Sequence, residues 1–201
     1  MAKALSEIPS DAAFSAAFAA TLHSQCRLHA PLGAFMSAHA LLAATSAALG
    51  LAVGAAAPRA EQALAVGAPI MVIHMLVGVI DPAGADAESD GALMSTLRTL
   101  SPIRHAIEAL CLAELKDVRF AKSSGGKGPG FMRALADAPK LGALAGVRNG
   151  NEVLERLGVP ENFSAPMVGL GSLGALHLLA GLVALIATAP RFARARPPAD
   201  S

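Results

Sequence analysis

The feature that most constrains the fold is a run of 24 residues, 34–57, that contains no Asp, Glu, Lys or Arg. A helix rises about 1.5 Å per residue, so a run of this length crosses the roughly 30 Å hydrocarbon layer of a bilayer. Two further uncharged apolar runs, residues 62–80 and 164–189, are also long enough. We therefore predict three membrane-spanning helices.

A fourth spanning helix is predicted over residues 9–27, although its uncharged part, between Asp11 and Arg27, is shorter than the others. Hydrophobic residues make up 54% of the chain and charged residues only 15%, which favours lipid as the surrounding solvent. We predict an all-α polytopic membrane helix bundle, an integral multi-pass protein of a plasma or organelle membrane. The net charge of +1 does not favour a nucleic-acid partner.

Charge placement predicts the orientation of these helices. If Lys3, Arg59 and the basic tail 190–201 are cytoplasmic, the turn 28–33 and the long segment 81–163 face outside. The long segment carries Lys and Arg too, but loops longer than about 60 residues escape the positive-inside rule. Both ends of the chain are then predicted inside.

The external segment is predicted to contain an amphipathic or partly re-entrant helix that starts at Pro102, because proline is favoured in a first helical turn. Its apolar residues recur at helical spacing. Arg104 and Glu108 are four residues apart, which predicts a solvated face with a salt bridge. One more short helix is predicted in NGNEVLERLGV.

Motifs for catalysis and metal binding are not found. The GGKG at 125–128 lacks the first glycine and the final Ser or Thr of a phosphate loop. Cys26 and Cys111 form no CxxC pair, and no nucleophile stands with a base. We predict no catalytic site, no metal site and no cofactor in this chain.

Isolated polar residues within the apolar runs are candidates for function. His74 either faces a water-filled cavity, where it contacts a substrate, or bonds a neighbouring helix. His39 and His177 lie in other runs without metal-ligand spacing. Gly50 and Gly54 form a small-xxx-small pattern. Together with the glycines of the last apolar run, Gly169, Gly171, Gly174 and Gly181, it predicts close helix packing.

Four motifs follow one another along the chain. The first has Lys3, Glu7 and Pro9, and the second has Gly50, Gly54 and Ala55. The third comprises Ser101, Pro102, Ala106, Ala109, Leu110 and Glu114, and the fourth Gly150, Val153, Leu154, Glu155, Leu157 and Gly158. In this order and spacing they resemble the white/brown-type subfamily G of ABC half-transporters, and most of all its plant and algal members.

The resemblance implies that the chain is a partial transmembrane domain over residues 1–189, with helices three to six of six. Two such domains pack about a two-fold axis, so a second half-transporter is the implied partner, in a homodimer or heterodimer. By position, Gly67, Met71 and His74 would face the substrate cavity, and Val79 and Ile80 would form a plug above it. The re-entrant helix would carry Ser101, Pro102, Arg104, Glu108 and Glu114.

The implied function is the membrane-domain portion of an ATP-driven exporter of lipid-like or amphipathic small molecules. ATP and magnesium would bind in an ATPase domain that this sequence does not contain, so hydrolysis is expected only of a longer protein and we expect a truncated gene model. The alternative is a stand-alone membrane scaffold or regulatory subunit that transports nothing. A channel would want polar rings along a pore, and the spans carry only isolated histidines.

Overall fold

The computed structural model describes residues 2–78, 91–118 and 149–193, and every regular element within them is an α-helix. The predicted all-α class is confirmed. In chain order the helices are α1 (Ala2–Cys26), α2 (Leu32–Ala56), α3 (Ala60–Gly78), α4 (Ala92–Thr99), α5 (Pro102–Leu115), α6 (Gly150–Arg156) and α7 (Ser164–Ala193).

Three of these helices are long and apolar enough to cross a membrane: α2, α3 and α7 over Ser164–Thr188. They confirm the three spans predicted from uncharged runs, with α2 and α3 each beginning two residues earlier. The last helix continues to Ala193, past the predicted end of the span at residue 189. α1 is as long as α2 but carries Glu7 and Asp11 in its first half. It is less apolar than α2, α3 and α7 and is not one of the three candidate spans.

Large apolar side chains on the spanning helices point away from the bundle. On α3, Leu64 and Leu76 are 72% and 73% exposed, and on α7 Val183 and Ile186 are each 65% exposed. Contiguous apolar surface of this kind is rare on soluble monomers, whereas lipid chains contact it without cost. The chain is therefore a multi-pass integral membrane protein.

The interface between α2 and α7 forms the centre of the bundle. Thr45 of α2 is buried, and its hydroxyl donates a 3.2 Å hydrogen bond to the Leu170 carbonyl of α7. A Cβ at Gly174 would lie 3.0 Å from the Thr45 Oγ1, and one at Gly181 would lie 3.3 Å from the Ala52 Cα. These two glycines allow the backbones of α2 and α7 to approach closely.

The predicted close packing at Gly50 and Gly54 is wrong for the part of the chain that the structure describes. No heavy atom lies within 4 Å of a Cβ placed at either glycine. Both instead line a cavity of about 490 Å³ that α1 borders with Glu7 and Asp11. The close approach predicted for the glycines of the last helix is confirmed at Gly174 and Gly181, which contact α2.

Gly174→Leu is expected to destabilise the bundle by about 1–3 kcal/mol, because the new side chain must push α7 away from Thr45. Gly171→Leu is the matched control on the same helix, since a Cβ at Gly171 meets nothing within 4 Å. The free energy of unfolding in detergent micelles measures both. Equal losses in the two variants would contradict this packing.

Candidate functional site

The start of α5 is fastened to the end of α3 through Ser101. The Ser101 side chain is fully buried, donates a 3.0 Å hydrogen bond to the His74 carbonyl and accepts from the Arg104 N–H at 3.4 Å. It is thus the N-cap of α5, with Pro102 in the first turn as predicted. A Cβ on Gly78 would lie 3.0 Å from Ile103, so α3 and α5 are in close contact here.

Arg104 and Glu108 form the predicted ion pair, with 2.8 Å between the Arg104 Nε and the Glu108 Oε1. The prediction of a solvated face is wrong, because the Glu108 side chain is only 8% exposed. α5 packs against α2, α3 and α7. His105 lies against Gly169 of α7, with its Nδ1 3.7 Å from the Glu108 Oε2.

The three side chains shift one another's protonation. Burial raises the pKa of Glu108, but the neighbouring His105 and Arg104 outweigh it and hold that pKa below its usual value. The Glu108 carboxylate in turn raises the pKa of His105, against the effect of burial. The cluster therefore favours an ionised Glu108.

Glu108→Ala is expected to cost about 1–2 kcal/mol, because Arg104 loses its partner but stays partly exposed and regains water. Glu152→Ala is the matched control: Glu152 and Arg156 have the same i,i+4 spacing at 2.7 Å but are exposed. An exposed pair of this kind is worth about 0.3–0.5 kcal/mol. Unfolding free energies that fall equally in both variants would contradict the burial of Glu108.

The C-terminal end of α5 contacts the turn between α1 and α2 through Glu114. Its Oε1 accepts from the His29 N–H and its Oε2 from the Ala30 N–H, both at 3.0 Å, and the His29 ring lies 3.3 Å from Oε1. Arg27, at φ 50, ends α1 in the left-handed region, and His23 lies 2.7 Å from the Ala30 carbonyl. Glu114 thus supplies acceptors for N–H groups that the turn itself leaves unpaired.

The protonation of Glu114 follows from these contacts. Partial burial raises the pKa of Glu114, but the N–H groups of His29 and Ala30 and the His29 ring outweigh it and hold the pKa below its usual value. The group is therefore an ionised acceptor at neutral pH.

The residues predicted to face a substrate cavity lie along α3. Gly67 approaches Val53 of α2, with 3.7 Å between a Cβ at Gly67 and the Val53 Cγ1. Met71 is 40% exposed, and the Nδ1 of His74 is buried. The predicted plug, residues 79 and 80, lies outside the residues that the structure describes.

Sequence reasoning missed two features of this region. His29 is bound by Glu114, 85 residues away, which no local pattern indicates. His177 of α7 has a buried Nδ1 atom without a hydrogen-bond partner among the described residues. The only sequence signal for His177 was its position as an isolated polar residue in an apolar run. In the described ranges, His, Cys, Asp and Glu form no group of three or more able to hold a metal.

Comparison with known proteins identifies the family. Residues 1–115, more than half of the chain, match the ABC-2 type transporter family. The chain belongs to that family. This ABC-2 segment covers α1 to α5 and ends one residue after Glu114.

A relative supports the narrower resemblance. The chain is 31% identical over 123 residues to ABC transporter G family member 7 of Arabidopsis thaliana, which is 60% of this chain and 17% of that protein. The predicted resemblance to subfamily G is confirmed. The chain spans less than a fifth of the length of this relative.

Proposed function

We propose that the chain forms the membrane-domain portion of an ATP-driven exporter that moves lipid-like or amphipathic small molecules across a membrane. The observation that carries this proposal is the ABC-2 type transporter match over residues 1–115, which coincides with α1 to α5. The ATP and magnesium sites belong to an ATPase domain elsewhere in the transporter. A second half-transporter completes the substrate path.

α1 is the fourth spanning helix in this proposal. It packs along α2, which is a candidate span, so the two run side by side over most of their length. Phe14 and Phe18 of α1 are 79% and 64% exposed, and lipid covers such side chains favourably. The charged residues of its first half then lie near the cytoplasmic surface.

The substrate contacts in this proposal are Gly67, Met71 and His74 on α3, with Val79 and Ile80 above them as a plug. Met71 is the exposed member of the set and offers a flexible thioether, which adapts to differently shaped apolar ligands. For export to follow, the inward and outward states must bind substrate with different affinities. α5 positions α3 for this change through the Ser101 hydrogen bond to the His74 carbonyl.

A chimera tests the proposal. The segment of the Arabidopsis relative that matches this chain is replaced by the corresponding residues of this chain, and the chimera is reconstituted in phosphatidylcholine vesicles. We expect ATP-dependent movement of a fluorescent NBD-labelled phosphatidylcholine between leaflets. A variant without the phosphate-loop lysine of the relative's ATPase domain is the control, and it should move none.

The contradicting result is a folded chimera that hydrolyses ATP and moves no labelled lipid. The unmodified relative is then measured with and without this chain co-expressed. A changed rate there would favour a scaffold or regulatory subunit instead of a transport domain.

A further inference from the structure

The His105 ring of α5 lies where α4, α5 and α7 meet. Its Nε2 is 3.0 Å from the carbonyl oxygen of Thr99, the last residue of α4. A Cβ at Gly169 of α7 would lie 2.9 Å from the ring's Cε1 and 3.0 Å from its Nδ1. Only 17% of the side chain is exposed, so the ring is packed against the backbone of two other helices.

The Thr99 carbonyl fixes one proton on this ring. A carbonyl oxygen only accepts hydrogen bonds, so the His105 Nε2 is the donor and carries a hydrogen. A neutral imidazole has one N–H, and its other nitrogen has a lone pair. In a neutral His105, Nδ1 could therefore only accept a hydrogen bond.

The surroundings of Nδ1 do not suit an acceptor. The atom is buried and has no hydrogen-bond partner in the part of the chain that the structure describes. The Glu108 Oε2 lies 3.7 Å away, within the range of an ion pair but longer than a hydrogen bond. Arg104 binds the other Glu108 oxygen at 2.8 Å and keeps the carboxylate ionised, and an ionised carboxylate only accepts. A neutral His105 would thus place two acceptors opposite each other at a buried position, which costs free energy.

A second proton on Nδ1 removes this conflict. The proton comes from water, and the ring becomes an imidazolium that donates from Nε2 to Thr99 and from Nδ1 to Glu108. A small rotation of either side chain would shorten the 3.7 Å distance to that of a hydrogen bond. In agreement, the Glu108 carboxylate and the Thr99 carbonyl raise the pKa of His105, against the effects of burial and of Arg104.

The charges that act on the ring belong to Glu108 and Arg104, both on its own helix. The neighbouring helices carry these titratable side chains in their described residues: His39 on α2, Glu61 and His74 on α3, Arg98 on α4, Glu152, Glu155 and Arg156 on α6, and His177 on α7. α7 meets the ring at the uncharged Gly169. The second proton therefore depends chiefly on one carboxylate, which a single substitution removes.

We propose that His105 and Glu108, with the Thr99 carbonyl, form a proton-binding site, and that the bound proton holds α5 against α4 and α7. Loss of the proton leaves Nδ1 facing the carboxylate, so the ring turns away and gives up its contacts with Thr99 and Gly169. The inference goes beyond the proposed transport, because proton binding here needs neither ATP nor substrate. In the predicted orientation α5 is external, so the site responds to the pH on that side of the membrane.

Nitrogen NMR of the histidine rings tests the site directly. The full chain, with ¹⁵N-labelled histidine, is placed in phosphatidylcholine vesicles and titrated, and the His105 resonances are assigned by their loss in His105→Gln. At pH 6.5, where an ordinary histidine is half neutral, we expect both His105 nitrogens to be protonated in most molecules. At a pH above that value, Nδ1 should lose its proton and its resonance should move far downfield.

Two glutamate variants show which carboxylate holds the proton. Glu108→Gln is expected to lower the pH at which His105 becomes neutral, because the amide has no charge and its NH₂ can donate to a neutral Nδ1. Glu152→Gln is the matched control, because it removes the carboxylate of another i,i+4 pair, 2.7 Å from Arg156 on α6. The His105 titration should be unchanged in this control.

Chemical unfolding in micelles measures what the proton holds together. A histidine whose folded pKa is raised contributes stability that is complete below the unfolded pKa of about 6.5 and is lost as pH rises through the folded value. The stability advantage of the native chain over His105→Gln should therefore shrink as pH rises above about 6.5. A ring that acts only by its size would give an advantage that does not change with pH.

Three results would overturn the inference: a His105 that becomes neutral at or below pH 6.5, the same titration in Glu108→Gln as in the native chain, or a stability advantage that stays constant or grows with pH. The titration of the native chain decides the question even if Glu108→Gln does not fold. A chimera that fails to transport beside the expected His105 titration would remove the proposed function and leave the proton site standing. The reverse outcome would remove only the site.

Discussion

Glu114→Ala is expected to cost about 2–3 kcal/mol of unfolding free energy, because an ionised acceptor is removed from two backbone N–H groups at once. The amides of His29 and Ala30 then have no other described acceptor, and the turn between α1 and α2 loosens. In the variant, hydrogen exchange at these two amides should be faster than in the native chain, while exchange in the rest of α1 and α2 changes much less. The free energy of unfolding of both proteins is measured in detergent micelles.

Glu155→Ala is the control for this variant, because Glu155 is exposed on the short helix α6. Surface changes of that kind usually stay within about 0.5 kcal/mol. Unchanged exchange at His29 and Ala30 in Glu114→Ala would show that the carboxylate does not hold the turn.

The Glu114 contact also predicts a pH dependence. The folded pKa of Glu114 is depressed, so its stabilisation is fully present above the unfolded pKa of about 4.3 and is lost as pH falls through the folded value. The stability difference between the native chain and Glu114→Gln should shrink as pH falls below about 4.3. A difference that grows on acidification would contradict the assignment.

Gly150→Ala is expected to cost about 3 kcal/mol, because overpacking against backbone has no flexible atom to yield. A Cβ at Gly150 would overlap the Leu115 carbonyl oxygen at the end of α5. α6 must move away, which breaks the 2.7 Å bond from the Gly150 N–H to the Val118 carbonyl. The reciprocal bonds between Asp117 and Asn151 are lost with it.

Gly33→Ala provides a control of opposite sign. Gly33 lies in the first turn of α2 with nothing within 4 Å of an added Cβ, so alanine is expected to stabilise by roughly 0.5–1 kcal/mol. Both variants are compared by chemical unfolding in micelles. A Gly150→Ala protein as stable as the native chain would contradict the docking of α6 on α5.

Spanning helices were predictable because bilayer thickness sets their length and composition. Each predicted span is a single uninterrupted apolar run without charged residues, over residues 34–57, 62–80 and 164–189. The structure has α2, α3 and α7 at these positions. The short helix α6 was predicted from NGNEVLERLGV for a different reason, its apolar residues at helical spacing. Pro102 marked the start of α5, because proline is favoured in a first helical turn.

Contacts between distant segments were not predictable from these patterns. The i,i+4 spacing correctly predicted the ion pair between Arg104 and Glu108. It does not predict whether other helices cover that face of α5. Close packing at the glycines was predicted correctly for Gly174 and Gly181 of α7 and wrongly for Gly50 and Gly54 of α2, because sequence does not indicate which glycine faces a neighbouring helix. α4 was not predicted, because no uncharged run or clear cap marks residues 92–99.

For the candidate site too, the sequence indicated individual helices but not the contacts between them. The family resemblance indicated α3 and α5 by position, and the structure brings them together at Ser101 and His74. It gave no indication of the hydrogen bond between Thr45 of α2 and Leu170 of α7, because that contact depends on how the two helices pack. Helical spacing predicts which residues share one face of a helix, but not which other helix packs against that face.

The most direct test of this account is the membrane topology of two cysteines in sealed microsomes, whose cytoplasmic face points outward. Cys26 is exposed at the end of α1, so a Cys111→Ser variant reports that end alone. Arg59→Cys, with both native cysteines replaced by serine, reports the turn between α2 and α3. The account predicts that a membrane-impermeant maleimide labels the Arg59→Cys variant at once and Cys26 only after permeabilisation. Labelling of both positions from the same side would contradict it.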